Sequence, residues 1–296
     1  MTEATEVLPE CILEIVIEEP HESVALLGVC AGFEDGAWRS SQLSYDLVQW
    51  ALDWILTPSE LQGLGRANAV DMLGKALSRI YSTTDYENRG EIGELLLHII
   101  LRRFMLSEKL ISRLYFKDAA NDTVKGFDAV HIVENSDDEL EFQLWLGESK
   151  FYVDSSDAMY AVMSGLKEHL EADYLRSEFA AIVDKIPQDW KHEQAVKKLL
   201  NRTISLDSVF KRVVIPVFIT FDSEVTQSHN AWTAEYIDAV RQELSLKWES
   251  FLGRMGRIEL PRTIRVHLIL LPMATKRDLL ARFDERLKAW QAVTKP

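Results

Sequence analysis

A β-strand that is apolar on both faces belongs inside a sheet covered on both sides, and residues 141–152, EFQLWLGESKFY, contain such a run in Leu144, Trp145 and Leu146. That segment predicts a layered α/β architecture, and the rest of the chain supplies the layers. Residues 10–19 and 23–31 are short, β-branched runs bounded by Pro20 and Gly32, and 109–116, 127–133, 213–221 and 263–271 have strand composition too. Apolar residues recurring every three or four positions predict helices over 44–56, 68–80, 90–104, 157–183, 188–201, 230–252 and 275–290. Pro216 inside 213–221 predicts an edge strand or a bulge, and Asn135 to Glu139 (NSDDE) a hairpin loop. The expected organisation is an N-terminal elaboration over residues 1–84 and an α/β core over 85–296, packed as one unit.

The function classes open to this chain are narrowed by what it lacks. No apolar run approaches the roughly 18–20 residues of a membrane helix, and the Leu, Ile, Val and Phe content excludes a disordered chain. Lys and Arg number 33 against 47 Asp and Glu, a net charge of −14 that argues against a free-standing protein coating nucleic acid. The acid is uneven: no Lys or Arg precedes Arg39, while nine of the 47 acidic residues do, leaving 38 acidic against 33 basic. A basic partner, or a basic patch elsewhere on the molecule, is one expectation from this asymmetry; a solvated surface is the other. Cys11 and Cys30 are too few for a disulfide framework and lack metal-ligand spacing, so buried thiols are expected. The N-terminus has neither a basic nor an apolar signal region, which points to the cytoplasm.

Several familiar signatures fail on inspection. His192-Glu193 lacks the second histidine of a zinc-protease helix because Val196 stands there, and Gly63-Leu-Gly65 is followed by Asn68 where a dinucleotide loop needs glycine. Trp50, Trp54 and Trp145 are read as core residues. What remains is an ordered set: Glu91 and Glu94 on a helix, Asp128 at the head of one strand, and Glu148-Ser149-Lys150 on the next. Glu148 and Lys150, two apart, project from the same face of their strand, while Ser149 points away. If the two strands pair, Asp128 and Glu148 reach one point, and carboxylate oxygens suit a hard cation such as Mg²⁺. Phosphodiester hydrolysis uses such a set: a bound cation polarises the phosphate, and a nearby lysine stabilises the growing charge. Glu91 and Glu94 lie with His98 along one helix edge, where Gly90 and Gly93 allow the sheet to come close. An acid-x-Lys triplet is common by chance, and Asp189-Trp190-Lys191 is a second match without a strand around it.

The strings RGEIGELLLHIILRR, KGFDAVHIV and LWLGESKFY resemble the PD-(D/E)xK nuclease superfamily, in particular the HamA family of nuclease subunits from the Hachiman anti-phage defence system. Later segments, IPVFITFDSEV and VHLILLPMATKRDLL, look like that family's following strands; Gly126-Phe127 stands where the superfamily pattern has proline before the aspartate. The resemblance implies a restriction-endonuclease-like mixed sheet flanked by helices. It implies Asp128 and Glu148 as metal ligands for Mg²⁺ (or Mn²⁺), Lys150 as the catalytic lysine, and a helix acid that is Glu94 or Glu91, with Glu94 the first choice. It further implies a superfamily 2 helicase partner of the HamB type that delivers DNA. Two other readings stay open: a non-catalytic interaction module with this fold, and a stand-alone restriction or repair nuclease, which would need a basic DNA-reading surface.

Overall fold

The run around Leu144–Leu146 forms β7 (Phe142–Phe151), which lies inside a sheet in the computed structural model; the structure describes residues 8–80, 90–112, 126–134, 142–188, 190–261 and 263–294. In chain order, β1 (Glu14–Glu19), β2 (Val24–Cys30) and the short pair β3 (Phe33–Glu34) and β4 (Ala37–Trp38) precede α1 (Ser40–Ile55), α2 (Pro58–Gln62) and α3 (Ala69–Ser78). Then come α4 (Glu91–Phe104), β5 (Glu108–Ser112), β6 (Ala129–Glu134), β7 and α5 (Ser155–His169). The chain continues with α6 (Ala172–Lys185), α7 (Glu193–Leu199), α8 (Leu206–Phe210), β8 (Val213–Asp222), α9 (Glu224–Ser228), α10 (Ala234–Met255), β9 (Arg265–Met273) and α11 (Lys276–Val293). Among the described residues, seven strands make one mixed sheet in the order β1-β2-β9-β8-β7-β6-β5. Strands β2, β9, β8 and β7 run parallel, and β6 and β5 continue antiparallel.

Both faces of the sheet are covered, as the apolar run requires. Leu144, Leu146, Ile215, Val217 and Leu268 pack with residues of α5, α6, α7, α8 and α10. Trp145, Val214, Phe218 and Ile269 pack on the other face with residues of α1, α3, α4 and α11. Side-chain caps start several helices: Asp154 accepts from the Asp157 N–H, Thr233 from Tyr236 N–H and Thr275 from Asp278 N–H. Among the described residues no helix is long and apolar enough to cross a membrane. Cys30 is buried and Cys11 half-buried, both as free thiols.

Two expectations need correction. Pro216 is not at an edge: β8 lies in mid-sheet between β9 and β7. Its missing N–H is tolerated because the pairing with β7 skips it, resuming at Glu148↔Val217 after Trp145↔Val214. The helix expected over 157–183 is two, α5 and α6, with Leu170 and Glu171 between them. Leu166, Leu175, Phe179 and Ile182 all reach one core, so the break leaves no mark in the apolar period. The expected loop at 135–139, the end of the strand expected over 109–116, and Asp189 lie outside the described residues.

The N-terminal segment adds strands to the same sheet, since β2 pairs with β9, and α1 packs on α11. Glu14, Glu18 and Glu19 are exposed on the edge strand β1, where charge discourages pairing with another chain. Close approach of α4 to β7 depends on two glycines. A Cβ on Gly93 would stand 3.0 Å from Phe151 Cβ, and one on Gly147 would stand 2.8 Å from Leu97 Cδ2. Gly90 has nothing within 4 Å, so only the second of the two glycines expected to thin that edge does so.

Candidate active site

Strands β6 and β7 form an antiparallel pair in which Ala129 faces Gly147, and Asp128 N–H donates to Gly147 O at 2.8 Å. Asp128, the residue before Ala129, therefore stands opposite Glu148, just past Gly147. Along β7, Leu144 and Leu146 face α5 and so do Glu148 and Lys150, while Gly147, Ser149 and Phe151 face α4. All of Glu94, Asp128 and Glu148 are buried, at 5%, 4% and 3% exposure.

The charged groups hold one another. Lys150 Nζ pairs with Glu148 Oε1, and His169 Nδ1 at the end of α5 is 3.5 Å from Glu148 Oε2. Burial pushes the Lys150 ammonium down, but the charges of Glu148 and Asp128 outweigh it and raise its pKa, so the group is a cation at neutral pH. Asp128 Oδ2 accepts from Ser149 N–H at 2.8 Å and Ser149 Oγ at 2.9 Å. Thus Ser149, which points away from Glu148, orients the carboxylate opposite. Phe127 stands where the superfamily pattern has proline; it is buried and meets the His169 ring edge-on at 5.3 Å. Gly126, before it, has φ +144°, which L side chains rarely adopt.

The donor set matches a hard divalent cation in chemistry: carboxylate oxygens at facing positions of two paired strands, with Gly165 leaving room beside Glu148, where a Cβ would stand 3.5 Å from Oε1. The helix acids come from elsewhere. Glu94 is buried and Glu91 half-buried on α4, across β7 from Glu148. Among the described residues, the carboxylates of Glu94, Asp128 and Glu148 do not gather within 4.8 Å of one another. A group that does so is Glu108, Glu134 and His192, near the far end of β6 from Asp128. There Lys191, of the second triplet, pairs with Glu108 and Glu134, in a surface cluster away from the Glu148 strand.

Sequence reasoning missed two features. His169 beside Glu148 gives no signal, since a lone histidine at a helix end has many uses. The second is a buried polar chain under α4, foreshadowed only by His98 sharing an edge with Glu94. His98 Nε2 is 2.7 Å from Asp53 Oδ2 on α1, His98 Nδ1 is 3.3 Å from His131 Nε2, and His131 Nδ1 is 2.7 Å from Ser107 Oγ. One assignment satisfies every group with both rings neutral: Ser107 donates to His131, His131 to His98 and His98 to Asp53. Burial pushes His98 down to about 4 against the pull of Asp53, and His131 falls well below its usual range. Burial pushes Asp53 up, but His98, Arg102 and Lys109 outweigh it and hold the carboxyl below the ordinary range. Lys109 Nζ also donates to the Trp54 and Leu56 carbonyls at 3.2 and 2.8 Å, fastening the end of α1.

Compared with known proteins, the chain matches the family model HamA over residues 6–287, nearly its whole length. None of the curated proteins compared matches it.

Proposed function

The chain belongs to the HamA family, a component of the Hachiman defence system, and from that premise we propose that it is the metal-dependent DNA nuclease of a two-component defence complex. The observation that supports this reading most is the pair of buried Glu148 and half-buried Lys150 on a strand whose run Leu144–Leu146 is apolar on both faces, with Asp128 opposite Glu148. Charges so placed are costly for folding, which favours a functional reason for them. The order α4–β5–β6–β7–α5–β8, with acid on the helix and on two paired strands, fits a PD-(D/E)xK core.

In this reading Asp128 and Glu148 would hold Mg²⁺ or Mn²⁺, with Glu94 or Glu91 contributing directly or through water. When bound, the cation polarises the scissile phosphate and lowers the pKa of an attacking water. Lys150, a cation at rest, would stabilise the negative charge that grows on the phosphoryl oxygens. Ser149 keeps the Asp128 carboxylate turned. A helicase partner of the HamB type would bring DNA to a chain whose −14 charge repels it.

Cleavage of plasmid DNA by the protein with its helicase, in the presence of Mg²⁺ or Mn²⁺, tests this. Activity abolished by EDTA and by Glu148→Ala or Lys150→Ala is expected. Undiminished cleavage by Glu148→Ala would remove the assignment, and DNA binding without cleavage in every variant would favour a non-catalytic module.

A further inference from the structure

Between α5 and α10 lies a cavity of about 290 Å³ whose lining includes Ser155, Ser156, Glu243, Lys247, Ser250 and Arg254. Lys247 Nζ donates to Ser155 Oγ at 2.9 Å and lies 4.4 Å from the centre of the Phe221 ring. Arg254 donates to Ser156 Oγ at 2.6 Å. Both cations are half-buried, and among the described residues neither forms an ion pair within 4.0 Å. Elsewhere in this acidic chain Lys75, Lys150, Lys191, Lys197, Arg102 and Arg282 are each paired with a carboxylate. Glu243, the one acid in the lining, accepts from Ser223 Oγ at 2.6 Å; burial pushes its carboxyl up, against the hydrogen bond from Ser223 and the charge of Lys247. Asp154 already caps the first turn of α5, so the attraction for an anion comes from the side chains.

Two cations with hydroxyl partners around an open cavity match a tetrahedral oxyanion, which accepts from ammonium, guanidinium and hydroxyl groups together. Location and the exposed side chains on the same elements narrow the ligand. Ser155 follows Lys150 by a few residues, past the carboxyl end of β7, where open α/β sheets take their ligands. Leu246, in the lining, and Tyr152, Val153 and Tyr160, at β7's exit and on α5, are exposed large apolar side chains, and exposed aromatic faces suit the bases of a single strand.

We propose that this cavity holds a backbone phosphate of a single-stranded nucleic-acid segment leading to Glu148 and Lys150. The substrate class rests on the nuclease reading; the binding itself does not. The test is fluorescence anisotropy of a labelled single-stranded oligonucleotide with the full chain, without metal, across a salt series. Lys247→Gln with Arg254→Gln is expected to weaken binding about ten-fold and to flatten the salt dependence by roughly 0.7 in slope, the loss of one phosphate contact. Tyr160→Ala is expected to weaken binding too, and inorganic phosphate to compete for the wild type. Unchanged oligonucleotide affinity in the double variant overturns the proposal, including when inorganic phosphate alone loses its site, since the ligand is then a small phosphate. If the double variant fails to fold, Ser156→Asp, which sets a carboxylate against Arg254, is expected to show the same loss, and wild-type binding there overturns the proposal. Because the assay needs no cleavage, lost binding here alongside undiminished cleavage by Glu148→Ala would leave this site standing and remove the nuclease reading.

Discussion

Glu148 and Lys150 carry opposite charges on one face of a buried strand, and what surrounds them decides how they can act. Lys150 is matched to Glu148, while Ser149 ties down Asp128 from behind the strand. Groups that orient a metal ligand without touching the metal typically matter by about 10–100-fold in metal affinity or activity. Ser149→Ala removes one of Ser149's two hydrogen bonds to the Asp128 carboxylate and keeps the backbone one, so the Mg²⁺ concentration for half-maximal cleavage is expected to rise about ten-fold. A metal titration of the cleavage rate measures it, and no rise would make Ser149 a packing residue only. Lys191→Ala is expected to leave cleavage at the wild-type rate, because Lys191 pairs with Glu108 and Glu134, at the far end of β6 from Asp128. Lost activity in that variant, with Lys150→Ala active, would show the wrong triplet was chosen.

At the scale of elements, α4 joins the candidate site to the rest of the molecule. Its Gly93 edge rests on β7, and one turn on, His98 meets β6 through His131 and α1 through Asp53. The chain of neutral histidines makes this junction sensitive to acid. Above about 6.5, the ordinary histidine value, His98 is neutral in both folded and unfolded states. As pH falls towards about 4, the unfolded chain takes up a proton that the folded state refuses, so stability is lost across that window. Urea unfolding at about pH 7 and about pH 5 should therefore show a drop for the wild type, and a smaller drop for His98→Gln, which no longer titrates there. Equal drops in both proteins would mean that His98 is not held neutral.

For the molecule as a whole, the sheet does not end where the nuclease-like order begins. With β2 paired to β9 and α1 packed on α11, removal of residues 1–84 would strip one flank of the sheet and uncover Val214, Ile269 and Leu280. A chain cut back to 85–296 is expected to lack a cooperative unfolding transition, with circular dichroism as the readout; a cooperative melt near that of the full chain would show an independent core. Charge acts at the same scale. At −14 the free chain should bind duplex DNA weakly, and a complex with a helicase that carries the DNA should bind far better through its raised effective concentration. Co-purification with the helicase and gel shifts of chain and complex compare the two. Tight, sequence-specific binding by the chain alone would favour a stand-alone restriction nuclease.

Short-range pattern, which sets the face each side chain takes within its own element, was legible directly. Alternation along 141–152 put Leu144, Leu146, Glu148 and Lys150 on one side and Ser149 on the other, and apolar content on both sides required helices over both faces. Which elements become neighbours is decided by contacts between residues far apart in sequence, and no local period encodes them. Asp53 comes to His98 from 45 residues away, and Lys247 to Ser155 from 92, because α1 and α10 dock on opposite faces of one sheet. Strand pairing put Pro216 in mid-sheet, and the docking of α4 set Glu94 across β7 from Glu148. A helix period records which residues are buried and is silent about what they are buried against.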